Sequence, residues 1–240
     1  KNTYYLIYSP KTGSKLVYAT SDNPLGPFEF RGTIIDNGID YPGSNNHGSL
    51  CCINEQWYIF YHRGTNNTIM SRQACAERIE ILADGSIPKV EMTSLGFEDS
   101  LSPYKITPAD AACVLKGGCY LTEKNVFSRY ITDITKGCVM GFKYFDFGDD
   151  YSSKTMEVCF NVKGQGCRGL IRIVSDNYEN GEELGVCEIG LDDGIYKACI
   201  KAITGRHAIY FIADDNYTDW TAEMFKGKRL FELKEFVFMK

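Results

Sequence analysis

Short runs of apolar or alternating residues, separated by Gly, Pro, Asn and Asp, follow one another along the whole chain. Within the first 92 residues these runs read TYYLIYSP, KLVYATS, FEFRGTII, GSLCCI, QWYIFYHR, TIMSRQACAERIEIL and IPKVEM. Side chains alternate between the two faces of a strand, so each run predicts a β-strand. Helical periodicity is nearly absent, and the pattern therefore predicts an all-β protein built from antiparallel hairpins.

The pattern relaxes at LGFEDSLSPY, residues 95–104, where Gly, Ser, Pro and acidic residues replace the apolar runs. We place a linker at residues 95–103, between a first domain at residues 1–94 and a second at residues 104–240. The second domain carries nine short runs, among them CVMGFKYFDFG, KTMEVCFNV and HAIYFIA. Such a series predicts a β-sandwich of jelly-roll type, in which NYTDWTAEMF forms an inserted loop.

Composition narrows the functional classes. The net charge is −5, without a basic stripe, which argues against nucleic acid as a partner. No run of about 18 apolar residues is present, so the sequence predicts no membrane span. Ten cysteines without CxxC spacing, and only three histidines, disfavour zinc. Most cysteines lie in apolar strand patterns, which favours free buried thiols over disulfides.

The first half of the chain resembles a known family. The blocks YYLIYSP, KLVYATSDNPLGPFEFRGTIID, NNHGSL, WYIFYHR and SRQACAERIEILADG occur in the order found at the end of the catalytic domain of glycoside hydrolase family 43. The resemblance implies about two blades of a five-bladed β-propeller. It also implies an inverting glycosidase that acts on arabinofuranosyl or xylosyl bonds of arabinoxylan, xylan or arabinan.

Inverting hydrolysis uses a carboxylate base and a carboxylic acid about 6.5–9.5 Å apart. By resemblance, the two Asp and the Glu that carry this chemistry fall before Lys1, so we expect upstream blades and no catalytic carboxylate in this chain. The acids that are present read as loop residues (Asp36, Asp40) or strand-face residues (Glu77, Glu80). We therefore expect that the chain alone does not hydrolyse glycosides.

Two residues are candidates for contact with the substrate. His47, in NNHGSL, matches a family histidine near the propeller axis, beneath the sugar and close to a bound cation that is often Ca²⁺. A histidine satisfied by backbone hydrogen bonds at a strand start is the alternative. Arg63, in YHRG, matches an arginine that reaches the sugar, with a surface arginine on an edge strand as the alternative. Its neighbour His62 points to the opposite face and reads as structural. No cofactor is required by this chemistry.

The second half resembles a family 6 carbohydrate-binding module through GGCYLTE, VMGFKYFDFG, TGRHAIYFIA and LFELKEFVF. It departs from the family pattern at Glu232, Lys234 and Glu235, which stand where the family has Asn, Asp and Trp. A lysine cannot ligate calcium, so we expect no family-type calcium here. Tyr196, Tyr217 and Trp220 are candidates for a secondary sugar platform; aromatics that pack their own loop are the alternative.

The sequence therefore predicts part of a glycoside hydrolase that binds plant polysaccharide or oligosaccharide and needs upstream propeller blades, from the same gene product or another chain. The alternative is a non-catalytic carbohydrate-binding or structural fragment with a degenerate sugar site. Polysaccharide substrates indicate a secreted or cell-surface protein of a bacterium, and uptake of short oligosaccharides would instead indicate a cytoplasmic one.

Overall fold

The computed structural model describes residues 2–43, 45–125 and 127–240. The chain divides into two compact units, Lys1–Phe97 and Glu98–Lys240. Almost all regular structure in both is β-strand, which confirms the all-β prediction. No helix in the described part of the chain has the length and apolar character needed to cross a bilayer.

The first unit contains two antiparallel sheets of three strands each, in the orders β1-β2-β3 and β4-β5-β6. The strands are β1 (Tyr4–Tyr8), β2 (Lys15–Ser21), β3 (Glu29–Asp36), β4 (Ser49–Ile53), β5 (Gln56–Gly64) and β6 (Arg72–Ile79). Consecutive strands pair in both sheets, so each sheet is a meander whose middle strand is its second. A propeller blade is typically a sheet of four strands, and each sheet here has three.

One strand prediction in this unit is wrong. The run IPKVEM forms no strand, and its backbone is held by single hydrogen bonds to the first sheet. Ile87 N donates to Tyr18 Oη at 2.8 Å, and Val90 N donates to Ile34 O at 2.8 Å. Pro88 has no N–H to give to a ladder, which disfavours strand pairing in this segment.

The second unit is a sandwich of two antiparallel sheets, which confirms the predicted architecture. The five-stranded sheet has the order β14-β13-β16-β11-β8, and the other has the order β15-β12-β17-β10-β9 with β7 paired to β17. The strands of this unit are β7 (Thr107–Pro108), β8 (Val114–Lys116), β9 (Tyr120–Asn125), β10 (Ser128–Ile134), β11 (Val139–Asp146), β12 (Thr155–Gly164), β13 (Gly169–Ser175), β14 (Glu183–Ile189), β15 (Gly194–Lys201), β16 (Arg206–Asp214) and β17 (Phe231–Met239).

A phenylalanine cluster fills the space between the two sheets. Phe142, Phe160, Phe211 and Phe236 are fully buried, and the rings of Phe211 and Phe236 meet edge to face, with centroids 4.7 Å apart at 89°. Edge-to-face contacts of this kind add to the stabilisation that burial alone provides. The sandwich therefore has a core of its own, independent of the first unit.

Two segments of the sandwich differ from the sequence prediction. β9 and β10 are missing from the nine predicted strands, because their sequences, YLTEKN and SRYITDI, carry few apolar residues in regular alternation. The inserted loop contains a short helix, α1 (Asp219–Phe225). Thr218 N donates to Thr221 Oγ1 at 3.2 Å at its first turn, a capping arrangement that favours helix over open loop.

Candidate functional site

The loop that carries His47 is anchored by buried amides. Asn46 is fully buried; its Nδ2 donates to Ser14 O at 3.4 Å and its Oδ1 accepts from His62 N at 3.4 Å. Asn37, directly after β3, donates through Nδ2 to His62 O at 2.6 Å. The loop and β5 are thus hydrogen-bonded to residues at the ends of β2 and β3, which fixes the backbone on either side of His47.

Gly48 lets this loop approach the second sheet closely. A Cβ at this position would lie 2.2 Å from Phe60 O and 2.5 Å from Leu16 Cδ1, far inside van der Waals contact. The backbone oxygen cannot move away without breaking the β4–β5 pairing. Only glycine therefore fits between His47 and the start of β4.

His47 itself is exposed, and its ring stacks on His62 with centroids 5.7 Å apart at 25°. His62 is buried, and its Nε2 lies 2.8 Å from Asn45 O. Burial lowers the pKa of His62, and the nearby Arg72 and His47 lower it further, whereas its hydrogen bond with Asn45 raises it. His62 therefore supports the loop beneath the exposed His47 ring.

Arg63 lies on the other side of β5 and is only 3% exposed. Its Nη2 donates to Tyr61 Oη at 2.6 Å and to Thr93 O at 2.7 Å, and lies 3.3 Å from Glu77 Oε1. The alternative of a surface arginine on an edge strand is wrong, because β5 is the middle strand of its sheet. In this structure the guanidinium is engaged with protein groups.

Glu77 completes a buried polar cluster that the sequence analysis did not identify. The carboxylate, 3% exposed, accepts from Tyr61 Oη at 2.9 Å, Thr93 N at 2.8 Å and Thr93 Oγ1 at 2.6 Å. Burial raises its pKa, and Arg63 opposes that rise. The sequence does carry one indication of this cluster: a Tyr-x-Arg pattern in β5, followed in the next apolar run by a glutamate. The pattern predicts contact only when the register between β5 and β6 is known.

The three aromatics proposed as a sugar platform have different surroundings. Tyr217 stacks on Phe225 at 4.2 Å, and its Oη accepts from Arg168 N at 2.9 Å, so it packs its own loop. Tyr196 Oη donates to Asp192 O at 2.8 Å beside Gly190. Trp220 is 73% exposed on α1. Of the three, Trp220 has the ring most available to a ligand.

The altered positions of the last strand form ordinary protein contacts. Glu232 accepts from Thr132 Oγ1 at 2.7 Å and lies 3.6 Å from Lys163 Nζ, and Glu235 accepts from Asn161 Nδ2 at 2.8 Å. No group of three or more His, Cys, Asp or Glu side chains that could hold a metal ion is present in residues 2–43, 45–125 and 127–240.

The chain is similar to known proteins in sequence and in structure. No family model matches the chain. A xylosidase/arabinosidase of Thermoclostridium stercorarium is 37% identical over 250 residues, covering 88% of this chain and 50% of that protein. An arabinoxylan arabinofuranohydrolase of Paenibacillus polymyxa is 26% identical over 218 residues, covering 81% of this chain and 33% of that protein. The chain thus spans half or less of the length of these relatives.

A solved structure shows the same fold. A glycoside hydrolase family 43 arabinoxylan arabinofuranohydrolase from Bacillus subtilis, in complex with cellotetraose, matches 99% of this chain and 52% of its own, with a TM-score of 0.54 and 21% identity. Together with the relatives, this confirms the resemblance and the prediction of a partial propeller followed by a sandwich.

Proposed function

We propose that this chain, which is related to family 43 xylosidases and arabinofuranohydrolases over about half of their length, forms part of a glycoside hydrolase acting on arabinoxylan. The observation that carries the proposal is the 37% identity to a xylosidase/arabinosidase across 88% of this chain. A match over 88% of the chain extends into both units, so it does not come from a shared binding module alone.

We assign the catalytic acid and base to residues outside these 240. Glu77, the carboxylate that the structure brings next to Arg63, is buried and already accepts hydrogen bonds from Tyr61 and Thr93. A base that activates water must be reachable by that water, and its partner must stand about 6.5–9.5 Å away across the scissile bond. Glu77 does not meet the first condition.

Exposed apolar side chains support a role for further blades. Tyr4, Leu6 and Tyr8 lie on one face of the edge strand β1 and are 36–45% exposed. An edge strand with free backbone groups and an apolar face is a surface on which another strand or sheet packs. We propose that blades outside this chain cover it and complete the sugar pocket.

His47 is our candidate for direct contact with the sugar, since its ring is exposed on a loop fixed by buried amides. Arg63 is buried, and its contact with substrate stays a prediction; its place in the Glu77 cluster supports a role in holding the wall behind the pocket.

A single imidazole suits Ca²⁺ poorly, because calcium prefers oxygen ligands. Among the described residues, no group of three or more His, Cys, Asp or Glu side chains could hold a metal ion, and we derive no step through a metal. Export to the cell surface also stays a prediction.

The direct test is a chimera in which this chain replaces the matching half of the Thermoclostridium stercorarium relative. We expect the chimera to release pentose from arabinoxylan and the 240-residue chain alone to release none. His47→Ala in the chimera should reduce turnover, with Asp84→Asn, an exposed turn residue, as the matched control. A folded chimera without activity would refute the proposal.

Binding of sugar without catalysis is a second candidate, and the exposure of Trp220 favours it. Aromatic rings of this kind offer a flat apolar face to a sugar. In a Trp57→Phe variant, Trp220 is the only tryptophan, so its fluorescence reports on α1 alone. A saturable change on titration with xylo-oligosaccharides would support this function, and no change at millimolar sugar would exclude Trp220 as a platform.

A further inference from the structure

Two buried thiols meet where the chain crosses between the layers of the sandwich. Cys119 ends the connection from β8 to β9, and Cys138 ends the connection from β10 to β11. Each connection passes from one sheet to the other, because β8 and β11 pair in the five-stranded sheet and β9 and β10 pair in the other. Both cysteines are fully buried.

Contacts around the sulfur atoms place the two side chains together. Cys138 Sγ lies 3.3 Å from Gly117 O, two residues before Cys119, and Cys119 Sγ lies 3.9 Å from Val139 O, directly after Cys138. The two thiols also shift each other's pKa in opposite directions, as close neighbours do. Gly117 permits this approach: it has φ +83°, and a Cβ on it would lie 2.8 Å from the Cα of Cys138.

The two thiols are not equivalent. Thr135 N lies 3.4 Å from Cys138 Sγ and donates to it, and the Cys119 thiol is a second donor. These hydrogen bonds, that from Cys119 first, lower the pKa of Cys138 to about 6, although burial opposes them. The same bond and burial raise the pKa of Cys119 far above its ordinary value. Cys138 Sγ receives the backbone N–H of Thr135, whereas Cys119 Sγ contacts the carbonyl oxygens of Lys116 and Val139. We therefore take Cys138 as the nucleophile of the pair and Cys119 as the resolving thiol.

We propose that Cys119 and Cys138 form a reversible disulfide that joins the two crossover connections of the sandwich when the protein meets a peroxide. The Cys138 thiolate attacks one oxygen of hydrogen peroxide, the O–O bond breaks, and the released hydroxide takes a proton to become water. Cys119 sulfur then attacks the sulfenic sulfur of Cys138. The S–O bond breaks, and the leaving hydroxide carries away the Cys119 proton as water. Two thiols are oxidised and one peroxide is reduced to two waters.

Peroxide suits this pair because it is nearly as small as water, whereas a bulky disulfide reagent would have to enter a closed site. The disulfide would link connections 117–119 and 135–138 covalently. It would therefore lower the conformational entropy of the unfolded chain, without requiring a new contact between strands. It would stabilise the sandwich without touching the candidate residues of the first unit.

Peptide mapping tests the proposal on the full chain. The cysteines outside the core are first removed by the substitutions Cys51→Ser, Cys52→Ser, Cys75→Ser and Cys199→Ser, so that oxidation between molecules is suppressed. After peroxide treatment, the intact mass should fall by about two hydrogens, the loss that disulfide formation requires. Tryptic digestion without reductant should then give GGCYLTEK (residues 117–124) joined to GCVMGFK (137–143). Recovery of both peptides with free thiols would overturn the proposal.

Single variants test the roles of the two sulfurs. In Cys119→Ser, Cys138 should stop at the sulfenic acid, which dimedone labels when the peroxide-treated chain is unfolded in its presence; in Cys138→Ser, Cys119 should stay unmodified. Labelling of Cys119 in that second variant would overturn the assignment of the nucleophile. The oxidised chain should melt about 5–10 °C higher than the reduced chain in the sandwich transition. Equal melting temperatures would show that the bond does not act as a staple.

Discussion

The buried cluster of Glu77 and Arg63 allows a quantitative prediction for the first unit. In Glu77→Gln the carboxylate charge is lost, while the amide oxygen can still accept from Thr93 N. Arg63, 3% exposed, then keeps a buried charge without the carboxylate of Glu77 beside it. Removing one partner of a buried ion pair costs about 3–5 kcal/mol of unfolding free energy. Because glutamine preserves part of the hydrogen bonding, we expect about 3 kcal/mol.

Fluorescence-monitored urea unfolding measures this loss. The chain has two tryptophans, Trp57 in β5 and Trp220 in α1, so a Trp220→Phe background makes Trp57 the reporter of the first unit. With an m-value of about 2 kcal/mol per molar urea, Glu77→Gln should lower the midpoint by roughly 1.5 M. The double variant Arg63→Met with Glu77→Leu should have a higher midpoint than Glu77→Gln, because two apolar side chains leave no buried charge beside an uncharged group. A loss below about 1 kcal/mol for Glu77→Gln would refute the reasoning about the pair.

Three further predictions concern other parts of the chain. Gly48→Ala should destabilise the first unit by more than about 2 kcal/mol, because the new methyl would collide with Phe60 O. Gly32→Ala, at a position that has room for a Cβ, is the control. Equal urea midpoints for the two variants would contradict the predicted clash. Burial lowers the pKa of His62 in the folded chain below the ordinary value of 6.5, which applies to the unfolded chain. The contribution of the neutral His62 ring to the unfolding free energy is therefore present above pH 6.5 and is lost as the pH falls through the folded pKa. Between pH 7.5 and 5 the unmodified chain should therefore lose more unfolding free energy than His62→Gln, and parallel losses would contradict this. Trp220→Ala should change the melting temperature of the sandwich by less than 2 °C, since the ring is 73% exposed, and a larger fall in calorimetry would show that it packs.

Sequence patterns predicted the strands well where apolar alternation was strong and failed where it was weak. The runs that became β5 and β12 carry several β-branched or aromatic residues in sequence, and burial of one face determines their conformation. IPKVEM has the same apolar content, but Pro88 prevents ladder pairing. β9 and β10 have polar outward faces, so their pairing becomes evident only when the whole sheet is assembled.

The candidate site was predictable only in part, for a different reason. His47 and Arg63 were found through resemblance, and the structure places His47 on an exposed, well-anchored loop. Glu77 was read as a strand-face residue because its partners lie on another strand and, in the case of Thr93, beyond the end of β6. Cross-strand clusters depend on register, which a single strand pattern does not specify. The pairing of Cys119 with Cys138 likewise follows from crossover geometry and not from spacing.

Our central proposal is that this chain takes part in inverting hydrolysis only together with catalytic carboxylates outside these 240 residues. Proton NMR of the first sugar released from an aryl α-L-arabinofuranoside or aryl β-D-xyloside measures this directly, using the chimera and the 240-residue chain side by side. We predict that the chimera releases the anomer of inverted configuration and that the chain alone releases no sugar. Release of the retained anomer, or equal hydrolysis by the chain alone, would contradict the account.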